Sequence, residues 1–350
     1  MLNLAFVLIL GAGLFGLIRW GIRHLPAERW QMLAAVPIAK ADDGSWRGLN
    51  VTFYGFFSAT GTTFGAVIFL LLLGSVGIPV YISGVLVLFL LFVCVPASRL
   101  VAGIVEHKSN TFTVAGATFV ATILLPLLVI AAAPLARRIL HQGIPVLAVL
   151  AAAVIAYVLG ESVGRLACLS FGCCYGLPLR DASPRIARLF RGHTVVIEGP
   201  TKKAAYASGL SGQPLVPVQA ITSIVFALAG TAGMALFLEQ HFRFASLFPL
   251  LASCGWRAAS EWLRADYRGA AKISKYQLMT FISMAYLSTL IILIPSSYGL
   301  LPDISTGIRS LYSVPVVIVV QVLWIGLFLY YGMSRVTNSI LTFQVIDERV

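Results

Sequence analysis

The chain has 350 residues, of which 59% are hydrophobic and only 11% charged, and its mean hydropathy is +0.92. Soluble domains carry about 25% charged residues, so these values exclude an ordinary soluble globule and indicate a polytopic membrane protein. A formal net charge of +12 in a chain that is nearly all membrane favours anionic lipid over nucleic acid as the partner.

Nine apolar runs are long enough to be transmembrane segments, near 2–18, 51–75, 78–98, 112–136, 144–160, 215–238, 244–263, 276–296 and 312–333. Backbone groups in hydrocarbon must pair within their own segment, so the runs predict helices. The alternation expected of barrel strands is absent. The fold class is therefore all-α, a polytopic helical bundle of about nine transmembrane helices. The first run has no basic segment before it and no small-residue cleavage site leading into a soluble domain, and reads as a retained helix.

Two polar stretches interrupt the pattern. Residues 19–50 carry "RWGIRHLPAERW" and "KADDGSWRG". The first is basic and amphipathic and the second a polar turn, and together they read as a segment lying at the membrane interface, anchored by Trp20, Trp30 and Trp46. Residues 177–214 include the cluster Arg180, Arg185, Arg188 and Arg191. A loop of that length in a compact bundle is usually functional or disordered, and it reads as a small extramembrane head. Three parts follow: 1–50, an extra helix with the interfacial segment; 51–296, a seven-helix core with the head 177–214; and 297–350, an extra helix and tail.

A few charges fall inside apolar runs, where each costs about 2.5–3.5 kcal/mol or more at the membrane centre and marks a functional candidate. In "GWRAASEWLRAD", Arg257, Glu261 and Arg264 are spaced i, i+4, i+7 and share one face of a continuous helix. One carboxylate cannot neutralise both arginines. The surplus positive charge suits an anion such as a lipid phosphate, which the planar guanidinium fork matches. The bland alternative is an ion-pair lock between helices. Glu161 and Arg165 form a second i, i+4 pair, with Glu161 holding Arg165 in place. Arg99, at the end of the third run, is either a site residue or an arginine snorkelling to the interface. His107, eight residues on, reads as a solvated loop histidine. Tyr54, at the start of the second run, reads as an interfacial anchor whose phenol can also donate to a phosphate.

Five cysteines stand at 94, 168, 173, 174 and 254. Their spacing does not resemble the paired C-x-x-C of a tetrahedral zinc site, and the sequence calls for no metal and no cofactor. Three readings of Cys173 and Cys174 stay open. They are packing residues in a tight turn flanked by Gly172 and Gly176, or catalytic thiols favoured by nearby arginines, or a redox or metal-linked pair.

Together these stretches resemble the bacterial prolipoprotein diacylglyceryl transferases. Their signature, roughly G-R-x-G-N-F-x-N-G-E-x-x-G, is met in register by Gly164, Arg165, Gly172 and Gly176, with Tyr175 at an aromatic position. The family's R-x-x-x-E-x-x-R is met by Arg257, Glu261 and Arg264, and a following S-x-x-Q by Ser274 and Gln277. An early Trp-Tyr-Gly is met by Tyr54 and Gly55, G-R-x-G-Y only weakly and out of register by Arg99 and Gly103, and P-x-Q by Pro217 and Gln219. The resemblance covers about 51–296, seven of the nine helices.

The chain also departs from the pattern. Cys168, Phe171 and Cys173 replace the signature's two asparagines and its glutamate. The family histidine of S-F-H-G-G has no counterpart in "TVAGATFVA", and the family's His-Pro is Val216-Pro217. A divergent branch carries G-C-F-x-x-G-C-C-Y-G, which "ACLSFGCCYG" resembles.

The resemblance implies a transferase of the bacterial cytoplasmic (inner) membrane. Its donor would be phosphatidylglycerol or another anionic phospholipid, and its acceptor the thiol of a lipobox-containing preprolipoprotein. Arg165, Arg257, Glu261, Cys173 and Cys174 would then be catalytic, and Tyr54, Arg99, Arg264, Gly172, Tyr175, Gly176 and Gln219 would bind substrate. The alternatives are the same fold acting on a non-lipoprotein acceptor, or a protein that binds or transports anionic lipid without turnover. Nine helices place eighteen lysines and arginines in loops on the site side against four opposite. The positive-inside rule would put that side in the cytoplasm, whereas the resemblance puts it outside.

Overall fold

The computed structural model describes residues 1–27, 31–40, 42–44, 46–106, 114–139, 143–266, 273–295, 299–333 and 348. In chain order its elements are α1 (Leu2–His24), β1 (Met32–Lys40), β2 (Trp46–Thr52), α2 (Phe53–Ser75), α3 (Val80–Glu106), α4 (Val114–Ile139) and α5 (Val146–Phe171). There follow α6 (Pro184–Leu189), β3 (Val195–Val196), α7 (Lys203–Ser208), β4 (Pro214–Leu215), α8 (Val218–Leu238), α9 (Phe242–Ser260), α10 (Lys275–Leu293), α11 (Ile304–Leu311) and α12 (Val314–Gly332).

The nine predicted spans correspond to α1–α5, α8–α10 and α12. Eight of these are long and apolar enough to cross a membrane. The exception is α9, which carries Arg243 and Arg257 together with several serines, and packs within the bundle against α8, α5 and α10. The chain is an all-α, multi-pass membrane protein.

Helix α5 is the centre. Leu147, Leu150, Ile155, Leu159 and Leu166 are all buried along it, so apolar side chains surround the helix as they must at a bundle core. Its closest neighbour is α2, and glycines set the distance. A Cβ on Gly61 would lie 2.6 Å from the Gly160 oxygen and 2.7 Å from the Gly164 nitrogen. Small residues let backbones approach where no water drives helices together. The extra helix α12 docks on α2 in the same way, Gly55 against Gly332, with the Thr52 hydroxyl donating to the Gly332 carbonyl at 3.2 Å.

The stretch read as an interfacial segment is built from an extension of α1 to His24 followed by the antiparallel hairpin β1–β2. The run 32–40 contains no polar residue before Lys40, and Asp42–Gly44 form the turn, Gly44 at φ 81°. The polar turn read in the sequence is the turn of this hairpin, where turn chemistry separates two extended runs. Trp20 is exposed and stacks on His24 at 5.5 Å, while Trp30 lies outside the described residues.

The head at 177–214 is built from α6, β3, α7 and β4. Leu25, Tyr175, Val195, Ile197, Ala204, Leu210 and Leu215 share a small core beneath it. Lys202 is fully buried there and donates to the carbonyls of Leu25 and Ser170, at the C-terminal ends of α1 and α5. A cation suits those unsatisfied carbonyls.

Candidate functional site

A cavity of about 400 Å³ opens among α2, α3, α4, α5, α9 and α10, with Tyr331 of α12 completing its wall. Its lining is overwhelmingly apolar. Among the lining residues three are charged: Glu161, Arg165 and Arg257. One carboxylate against two guanidiniums leaves a surplus positive charge in an oily chamber.

Helical spacing assembles the polar end. Tyr157, Glu161 and Arg165 recur at i, i+4 and i+8 along α5 and so project on one face. Arg165 pairs with Glu161, both side chains being about one-tenth exposed. The Arg165 Nε is buried without a hydrogen-bond partner among the described residues. Arg257 donates to the Tyr157 hydroxyl from α9. Among the described residues no carboxylate forms an ion pair with Arg257. Buried polar groups ordinarily find partners, so the unpartnered Arg165 Nε stands out in this apolar setting.

Beyond α5 the chain turns sharply. Gly172 caps the helix in the left-handed region, φ 66°, and a Cβ there would come within 3.0 Å of Ile197 and 3.1 Å of Lys202. Gly176 has still less room, a Cβ falling 2.2 Å from the Val216 oxygen. Between them Cys174 takes φ 56°, an uncommon conformation for a side-chain-bearing residue. Gln219 at the start of α8 donates to the Cys173 carbonyl at 2.8 Å. Tyr175 is buried, with its hydroxyl 2.6 Å from the Ser208 hydroxyl. Gly172, Tyr175, Gly176 and Gln219 thus shape and brace the turn and are not among the cavity's lining residues.

Arg257, Glu261 and Arg264 do not share one helix face. Helix α9 ends at Ser260, Glu261–Leu263 tighten into a 3-10 turn, and Arg264 is extended, with φ −99° and ψ 147°. Gly176 and Arg264 form a β-bridge, and the amide of Ala265 donates to the Tyr175 carbonyl at 3.1 Å. The helix yields because this strand-like contact satisfies its backbone. Asp266 grips Arg264 through two bonds of 2.8 Å, while Glu261 stands 3.7 Å from Arg264 and accepts from the Ser274 hydroxyl at 3.3 Å. Ser274 and Gln277 form the capping box of α10. Arg264, Glu261 and Asp266 therefore tie the cysteine turn to α9 and α10.

Tyr54 lines the cavity and meets Phe171 edge-on at 5.5 Å. Arg99 is exposed near the end of α3 and lies over the Tyr330 ring, 4.8 Å from its centroid. His107 lies outside the described residues. The sulfurs of Cys168, Cys173 and Cys174 all lie within 4.8 Å of one another, and none is in a disulfide. The Arg165 Nη1 is 3.9 Å from the Cys168 sulfur and 4.0 Å from the Cys174 sulfur. Hydrogen bonding to Cys168 and Cys174, together with burial, pushes the Cys173 thiol well above its ordinary range.

The family model for prolipoprotein diacylglyceryl transferase matches residues 45–297, well over half of the chain. The chain belongs to the prolipoprotein diacylglyceryl transferase family. No curated protein and no solved structure matches it. The family match runs from just before β2 to just past α10. It thus takes in the cavity-facing arginines, the cysteine turn and the head, and leaves out α1, β1, α11 and α12. Sequence reasoning overlooked Tyr157, which the i−4 step from Glu161 exposes. It also overlooked Tyr331, which no pattern within its own helix marks, and Asp266, whose role depends on the break after Ser260.

Proposed function

We propose that this protein moves a diacylglyceryl group from phosphatidylglycerol, in a bacterial cytoplasmic membrane, to the thiol of a prolipoprotein cysteine. The observation that carries the reading is the single surplus positive charge in an otherwise apolar cavity, supplied by Arg257 beside the paired Glu161 and Arg165. Apolar walls suit acyl chains, and a guanidinium without a carboxylate suits a phosphodiester.

The chemistry gives that charge a task. Attack by the acceptor sulfur on the glyceryl carbon breaks a carbon–oxygen bond and turns a singly charged phosphodiester into a doubly charged glycerol phosphate. Arg257 and the open Nε of Arg165 stand where that added charge develops, and fixed donors in a dry site stabilise it strongly. Tyr157 orients Arg257, Glu161 orients Arg165, and Tyr54 offers a further donor from α2. The boundaries 1–50, 51–296 and 297–350 divide this catalytic core from the flanking helices.

The test is release of glycerol phosphate from phosphatidylglycerol vesicles by the purified full-length protein, with and without a lipobox peptide. Release that requires the peptide supports the reading. Release without it moves the acceptor to another molecule, and retained phosphatidylglycerol with no release makes the protein a lipid binder.

A further inference from the structure

Cys168, Cys173 and Cys174 form the one cluster of three potential metal ligands among the described residues. Cysteines at these positions are not a familiar ligand spacing. The fold makes them one by reversing the chain at Gly172, φ 66°, and again at Cys174, φ 56°. A non-glycine residue persists in the left-handed region where its surroundings over-determine it, and such positions gather at functional sites. Cys168 lies in the cavity wall, so one edge of the cluster faces the site.

The geometry and charge suit a soft cation. Tetrahedral zinc at about 2.3 Å from each sulfur spaces sulfurs about 3.8 Å apart. Sulfurs already within 4.8 Å of one another need to close by about 1 Å or less. Three thiolates around a divalent ion carry one net negative charge, and Arg165, itself paired with Glu161, donates towards two of the sulfurs from 3.9–4.0 Å. A disulfide accounts for the cluster less well. It would use two thiols and strand the third, and the adjacent pair Cys173–Cys174 closes only with strain.

We propose that Cys168, Cys173 and Cys174 bind one zinc-class cation as thiolates, and that its fourth position receives the acceptor thiol. The second half rests on the transferase reading above. Three protein ligands with an open fourth position are the pattern of catalytic zinc, and a thiol that coordinates such an ion loses its proton outright. The acceptor's proton goes to solvent as its sulfur binds. A sulfur lone pair then forms the bond to the glyceryl carbon, the carbon–oxygen bond breaks, and the electron pair leaves with glycerol phosphate. No electrons are gained or lost overall. The ion takes the place of a general base in a chain whose "TVAGATFVA" segment carries no histidine.

The experiment is cadmium titration of the metal-depleted, full-length protein in detergent, followed by thiolate-to-cadmium absorption. One equivalent binds tightly in the wild type. Stoichiometric binding is lost in Cys168→Ser, Cys173→Ser and Cys174→Ser and kept in Cys94→Ser and Cys254→Ser. Failure of the wild type to bind, or equal loss in the two control variants, overturns the site. A lipobox peptide added to the cadmium form raises the absorption by about one third, as a fourth thiolate joins three. An absorption that ignores the peptide overturns the acceptor position. Neither readout requires turnover. Phosphatidylglycerol binding by Arg257→Ala reports separately on the donor site, so the two readings fail independently.

Discussion

Arg257 on α9 donates to the hydroxyl of Tyr157 on α5, and this bond joins the two helices at the polar end of the cavity. It fixes the one guanidinium there that has no carboxylate partner among the described residues. Arg257→Ala should therefore lower turnover about 10²–10³-fold, the usual cost of one transition-state donor. Tyr157→Phe removes a hydrogen bond to a charged group, worth about 1.5–3 kcal/mol, and should cost roughly ten- to a hundredfold. Arg257→Lys should not restore activity, because an ammonium lacks the planar fork. Glycerol phosphate release at saturating lipid reads all three, and near-normal turnover in Arg257→Ala would sink the phosphate assignment.

Glu161 and Arg165 should separate stability from chemistry. Both side chains are about one-tenth exposed, and removing one member of a buried pair costs about 3–5 kcal/mol by stranding the other. Glu161→Gln should lower the thermal midpoint in detergent while phosphatidylglycerol still binds. Arg165→Met should lose both stability and turnover. The double variant Glu161→Gln/Arg165→Met should recover most of the midpoint and none of the turnover. A double variant as unstable as the sum of its parts would show that the pair is not coupled.

The helices were legible because span length and apolar composition are local properties, and the Glu161–Arg165 pair because both residues lie within one unbroken helix. The face shared by Arg257 and Arg264 was misread for the opposite reason. Neither glycine nor proline marks the stop after Ser260. The helix ends because the backbone at 263–265 pairs with the turn at 175–177, a contact between segments far apart in sequence. The thiol cluster was hidden likewise. Cys168 and Cys174 meet through backbone conformations that residue spacing does not encode, although the glycines at 172 and 176 signal a sharp turn.

Asp266 grips Arg264 through both carboxylate oxygens at 2.8 Å, and Arg264 bridges to Gly176 through its backbone. This pair should hold the cysteine turn in shape without touching lipid. Asp266→Asn and Arg264→Lys should each break the two-pronged contact, as a carboxamide or an ammonium cannot reproduce it. The expected result is faster alkylation of Cys173 and Cys174 by a soluble maleimide, with phosphatidylglycerol affinity unchanged. Lipid affinity that falls with unchanged thiol reactivity would place Arg264 in the donor site instead.

Asp303 gives a pH-dependent contact outside the membrane spans. It caps α11, accepting hydrogen bonds from the hydroxyls and amides of Ser305 and Thr306, and these lower its pKa to about 2. Its own amide donates to the Ser75 carbonyl at 2.9 Å, docking α11 on the end of α2. An unfolded aspartate titrates near about 3.9. The folded value is the lower one, so the stabilisation is fully present above about pH 4 and is lost as pH falls towards about 2. Asp303→Ala should lower the thermal midpoint by the same amount at pH 7 and pH 5, and by less at pH 3. A difference between wild type and variant that stays constant down to pH 3 would mean that the carboxylate charge contributes nothing to the cap.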